Sequence, residues 1–82
     1  MEQVVRTQKQ LGAALRRARK QAGLSQTALS DAVQHRQATI SRLEAGEPVE
    51  LPTLMATLAA LGLELVIRPR GKGKPADIAD LF

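Results

Sequence analysis

Arg36, Gln37, Ala38, Ser41 and Arg42 fall within one seven-residue stretch, and together they carry the chemistry needed to read base-pair edges. Glutamine can bond bidentately to adenine and arginine to guanine, and an alanine methyl can touch a thymine methyl in the major groove. Ser25, Gln26 and Thr39 are short polar donors suited to phosphate oxygens. Ser25 and Gln26 would also open a helix, whose N-terminal dipole favours anions. Arg17 adds a cation for a further phosphate. The bland alternative is the solvated face of a small helical protein, and spacing alone leaves both open.

Other chemistries lack parts. With no cysteine there is no disulfide framework, thiol nucleophile or zinc–thiolate site, which fits a reducing compartment. His35 is the only histidine and reads as a half-buried turn residue, so no metal and no cofactor is expected. Glu44 and Glu47 lie three apart, but Glu44 reads as the partner of a nearby arginine. No base–nucleophile pair and no glycine-rich phosphate loop at a strand–helix junction is present, so no catalytic residues are assigned.

The elements that would position these residues follow from apolar spacing. Leu11, Leu15, Ala18 and Ala22 recur at four, three and four, which predicts a helix over 7–22, stopped by Gly23. Arg16, Arg17, Arg19 and Lys20 take its remaining faces. Ser25 is a good N-cap for a second helix over 26–33, with Ala28, Leu29, Ala32 and Val33 inward. After the break at 34–36, a third helix spans 37–45 with Ile40 and Leu43 inward, closed by Gly46. A fourth runs over 51–61. It tolerates Pro52 in its first turn, turns Leu51, Leu54, Met55, Leu58 and Leu61 inward, and ends at Gly62. Residues 63–68 alternate with period two and read as a short strand ended by Pro69.

Composition agrees with a helical domain. In 82 residues there are 12 Leu and 13 Ala, both strong helix formers, and one aromatic, Phe82. The net charge of +4 is uneven. Six basic groups and one acid occupy 1–20, and Arg68, Arg70, Lys72 and Lys74 follow later with no acid. Such blocks suit a polyanion, either nucleic acid or a membrane surface. No apolar stretch is long enough to span a membrane, since Gly62 and Glu64 interrupt the longest. The basic N-terminus lacks the apolar core of a signal peptide. It is compatible with a transit peptide but reads as the first helix.

The lone strand cannot satisfy its own backbone groups. A second copy supplies the economical partner, in a two-stranded antiparallel sheet across a twofold axis, with Leu63, Leu65, Val66 and Ile67 as the dimerisation residues. The competing possibility is that 63–67 extends the fourth helix or packs as coil. The organisation is thus a domain over 1–69 and a flexible tail over 70–82. The fold class is all-α, with four to five helices plus one short C-terminal strand that pairs across a dimer. In the tail, Ile78, Leu81 and Phe82 are three apolar groups on a solvated end. They read either as chance or a degradation signal, or as a motif that orders on a partner.

The segments GLSQTALSDAV, RQATISRLEAGE and LPTLMATLAALGLEL resemble the Xre/Cro-like helix-turn-helix family, preceded by LGAALRRARKQAG as its first helix. The resemblance covers about residues 10–67. The ending ALGLELVIRPR looks like the HipB-type antitoxins, in which a strand after the helical domain pairs across a dimer. Such proteins repress their own operon and bind a HipA-type kinase toxin. The resemblance therefore implies a homodimeric, cytoplasmic bacterial repressor on a palindromic double-stranded operator, nucleoid-associated when bound. It implies base contacts by Arg36, Gln37, Ala38 and Ser41, with Arg42 in either role, and Gln26 and Thr39 on phosphate or bracing the helices. A stand-alone or phage-type repressor without a toxin is the close alternative, and a protein-interaction module using the tail is the other. In the family a glycine and an aliphatic residue usually precede the recognition helix. Here they are Gln34 and His35, and a left-handed Gln34 would cost on the order of 1 kcal/mol relative to glycine.

Overall fold

The computed structural model describes residues 2–70. Four helices follow in order: α1 Gln8–Gln21, α2 Gln26–Val33, α3 Gln37–Glu44 and α4 Leu51–Ala60. Each limit lies within a residue of expectation because the stop and start signals are local. The Thr7 hydroxyl accepts from the Gln10 N–H and the Ser25 hydroxyl from the Ala28 N–H, both at 3.0 Å.

The core is aliphatic. Leu15, Leu29, Ile40, Leu43 and Leu58 are buried, and Leu11, Val49, Leu54 and Leu61 pack half-buried around Leu15, Leu43 and Leu58. Burying each such leucine contributes about 1.5–3 kcal/mol. α1 packs on α3, and α2 packs on both α3 and α4. The α1–α3 approach is set by Gly12: a Cβ there would lie 2.6 Å from the carbonyl oxygens of Leu43 and Glu44. Only a residue without a side chain allows that contact.

Several inward assignments are corrected. Ala22, Ala28 and Ala32 are exposed; α2 buries Leu29 as expected, leaves Val33 half-buried and turns Ser30 inward, with the Ser30 hydroxyl donating to the Thr27 carbonyl at 2.7 Å. On α4, Leu51 is 64% exposed and Met55 46%, whereas Thr53 and Thr57 are buried. Thr57 is accommodated because its hydroxyl donates to the Thr53 carbonyl at 2.8 Å. His35 is exposed rather than half-buried, although its Nε2 lies 3.4 Å from the Thr53 hydroxyl.

Residues 63–69 form neither helix nor strand within this single chain, and Leu65, Val66 and Ile67 are exposed. The segment is tied to α4 by the Leu63 N–H, which donates to the Leu58 carbonyl at 2.8 Å. At its far end Arg68 lies 3.6 Å from Glu2. The assignments to Ile78, Leu81 and Phe82 lie outside the described residues.

Candidate nucleic-acid interface

The α2–turn–α3 unit begins with a sharp backbone reversal. Gln34 ends α2 in the left-handed region at φ 59°, ψ 44°, the strained conformation that glycine usually takes. Its N–H donates to the Asp31 carbonyl, and the His35 N–H to the Ser30 carbonyl at 2.9 Å. These bonds close the end of α2 and aim α3 without a glycine.

Arg36, Gln37, Ala38, Ser41 and Arg42 are all exposed. Arg36 is the N-cap residue of α3, and its side chain makes no capping bond. Gln37 is held more tightly. Its Oε1 accepts from the Thr27 hydroxyl at 3.1 Å, and its Nε2 donates to the Gln26 Oε1 at 3.5 Å. A primary amide has two donors and two acceptor lone pairs, so one donor and one acceptor remain, the pair that bidentate contact with adenine requires.

Gln26 in turn donates through Nε2 to the Glu44 Oε1 at 3.1 Å. Glu44 receives Arg19 as well, from Nε at 2.6 Å and Nη2 at 3.0 Å, while Arg19 Nη1 donates to the Leu24 carbonyl at 2.8 Å. The two side chains are only 8% and 4% exposed. A continuous polar path therefore runs from a buried ion pair, through Gln26, to the first residue of α3. Burial pushes the Glu44 carboxyl up, but the bonds from Arg19 and Gln26 and the charges of Arg19 and Arg16 outweigh it. The group is held below the usual carboxylate range. The bond to Glu44 likewise raises Arg19 against its own desolvation.

Arg19 corrects the expectation that it occupies a solvated face. It lies on the stripe of Gly12 and Leu15, the buried residues of α1, and that three-and-four spacing was the available signal. Thr27 was also missed; as an exposed threonine on α2 it carries no sequence signal for bracing α3. Gln26 is half-buried between Glu44 and Gln37, in a bracing position. Ser25 is exposed and Thr39 half-buried. Arg42 leans toward the α3–α4 loop, donating to the Pro48 carbonyl at 3.3 Å and lying 3.8 Å from Glu47. Arg17 stands with Arg16 and Lys20 on a shallow basic hollow lined by α1 alone. No group of metal-ligating side chains occurs among the described residues, and no described helix is long and apolar enough to cross a membrane.

Residues 10–69 match the family model of a helix-turn-helix domain. Among solved structures, a complex of a HipB variant with an O2 20mer is 28% identical, with a TM-score of 0.79 over 87% of this chain and 100% of that one. A HipA–HipB–O2–O3 complex gives 28% identity and a TM-score of 0.78 over 85% of this chain and 100% of that one. A HipB–O1–O2 complex gives 29% and 0.75 over 82% and 99%. No sequence among curated proteins matches the chain.

Proposed function

The chain belongs to the helix-turn-helix domain family, and on that premise we propose that it is a sequence-specific DNA-binding repressor serving as an antitoxin. The observation that carries the reading is Gln37, exposed at the start of α3 and fixed by Thr27 and Gln26 with one donor and one acceptor to spare. Arg36, Ala38 and Ser41 extend the reading surface, Arg42 serves base or backbone once released from Glu47, and Ser25 and Thr39 face phosphate. The solved relatives support it, since they are HipB bound to 20mers and HipB with HipA.

The working form is a homodimer, with Leu63, Leu65, Val66 and Ile67 pairing across the twofold axis. It occupies a palindromic operator before its own operon in the cytoplasm and restrains a HipA-type kinase toxin encoded beside it, with Ile78, Leu81 and Phe82 as the toxin-binding motif. Footprinting on the DNA upstream of its own gene tests the first part. Protection of two symmetric half-sites, with centres roughly 34 Å apart, is expected. A single asymmetric half-site bound by a monomer would refute it. For the second part, a chain truncated before residue 76 should keep DNA affinity and lose toxin binding. Unchanged toxin binding would move that contact to the folded body.

A further inference from the structure

α1, with the sequence QKQLGAALRRARKQ, carries five cations and no acid. Arg19 is taken up by the buried pair with Glu44. Lys9, Arg16, Arg17 and Lys20 are exposed, and none of them pairs with an acid among the described residues. With Ala13 they recur at spacings of three and four, which places them on one stripe of the helix. That stripe is rotated away from the Gly12–Leu15–Arg19 face that meets α3. Like charges at these spacings repel one another, and an anion seated across them relieves the repulsion. The stripe carries no large apolar side chain, so it can neither enter a bilayer interface nor form the apolar centre of a protein contact. What it offers is guanidinium forks and ammonium groups, which take phosphate oxygens.

We propose that the Arg16–Arg17–Lys20 face of α1 is a second phosphate-binding surface, which takes the duplex DNA flanking each operator half-site. The inference rests on the repressor reading above and lengthens the DNA that each chain grips. Position selects flanking DNA. Leu24 is clamped to the last turn of α1 from both sides: its N–H donates to the Arg19 carbonyl at 3.1 Å, and its carbonyl accepts from Arg19 Nη1 at 2.8 Å. Ser25, the next residue, caps α2. The end of α1 that carries the three cations is therefore fixed beside the N-terminus of α2, and α2 braces Gln37 through Thr27 and Gln26. The basic face thus continues the candidate interface at its Ser25 end, on a helix that supplies no base reader. In the proposed complex the backbone leaving the half-site past Ser25 runs onto it. Attraction of this kind is indifferent to sequence, as suits DNA outside the site.

The test is a salt series of binding isotherms with the full chain on two duplexes. One is the footprinted operator trimmed at the outer edges of its half-sites. The other extends it at each end by about 20 random base pairs, two turns of the duplex. The wild type should bind the extended duplex at least about 10-fold tighter and with a steeper salt slope, since each added phosphate contact contributes about 0.9 to it. Arg17→Ala/Lys20→Ala should lose most of that gain and keep most of its affinity for the trimmed duplex. Arg16 stays in this variant because its charge also favours ionised Glu44. Both substituted residues are exposed, so helical circular dichroism should persist. Arg17→Gln/Lys20→Gln, which keeps long side chains, should behave in the same way. A wild type that binds both duplexes equally, or variants that keep the flank gain, would overturn the inference and leave the repressor reading intact. An equal loss on both duplexes would place the cations on the half-site and overturn it too. Capture of a separate labelled duplex by protein on tethered operator, lost in the variants, would give the face to a second DNA molecule. Loss of binding to phosphatidylserine vesicles alone would give it to a membrane. Both outcomes overturn the assignment to flanking DNA. A chain that protects no operator would overturn this inference and the repressor reading together.

Discussion

Replacing Glu44 by leucine should be among the most damaging single substitutions available to this chain. Glu44 receives three side-chain hydrogen bonds, at 2.6, 3.0 and 3.1 Å, where its side chain is 4% exposed. Its loss leaves the Arg19 guanidinium buried with the Leu24 carbonyl as its remaining partner. Stranding one member of a buried pair costs about 3–5 kcal/mol. A domain of this length holds roughly 4–12 kcal/mol in all, so the substitution removes between about a quarter and the whole of it. Arg19→Met should cost a similar amount at neutral pH. The double variant Arg19→Met/Glu44→Leu removes both charges together and should lie within about 1 kcal/mol of the wild type, the residue of loss being the unpaired Gln26 amide. Urea unfolding followed by far-ultraviolet circular dichroism measures all four proteins; the chain has no Trp or Tyr to report by fluorescence. The same pair sets an acid limit. A carboxyl held below its unfolded value stabilises the fold at pH above about 4.3, and that contribution is lost as pH falls through the folded value. The wild type should therefore lose stability on acidification more steeply than the double variant. Single variants that each cost under about 1 kcal/mol, and simply add in the double, would refute the coupling.

Gly12→Ala should destabilise the fold by about 1–3 kcal/mol, since its Cβ would sit 2.6 Å from two backbone oxygens of α3; an unchanged melting temperature would show that α1 can move. Gln34→Gly should stabilise by about 0.5–1 kcal/mol by relieving a left-handed non-glycine residue at φ 59°, and a loss of stability would point to a role for the glutamine side chain. Arg17→Ala should weaken binding to all DNA alike and reduce the salt slope by at most about 1; a loss confined to one sequence would make Arg17 a base reader.

The elements were legible because their signals are local. Thr7 and Ser25 cap, Pro52 starts a helix, and Gly23, Gly46 and Gly62 stop three with positive φ. The face of α4 was not legible, because the apolar pattern points to Leu51 and Met55 while the helix buries Thr53 and Thr57. The exposed cluster at the start of α3 could be read from residue types alone. Its bracing could not: Arg19 meets Glu44 across 25 positions and Gln37 meets Gln26 across 11, and such pairs are set by packing. Arg19 shows the cost of weighing charge over spacing, since it follows Leu15 by four residues and shares its helix face. The period-two pattern of residues 63–67 takes neither helix nor strand form within the single chain.

The proposed function stands most directly on Gln37 as a reader of sequence. Titrating wild-type and Gln37→Ala protein against operator and random duplexes over a salt series measures this. A base-reading Gln37 gives a loss of about 1–3 kcal/mol on the operator alone, relaxed preference at one base pair, and the same salt slope for both proteins. An equal loss on operator and random DNA would contradict it.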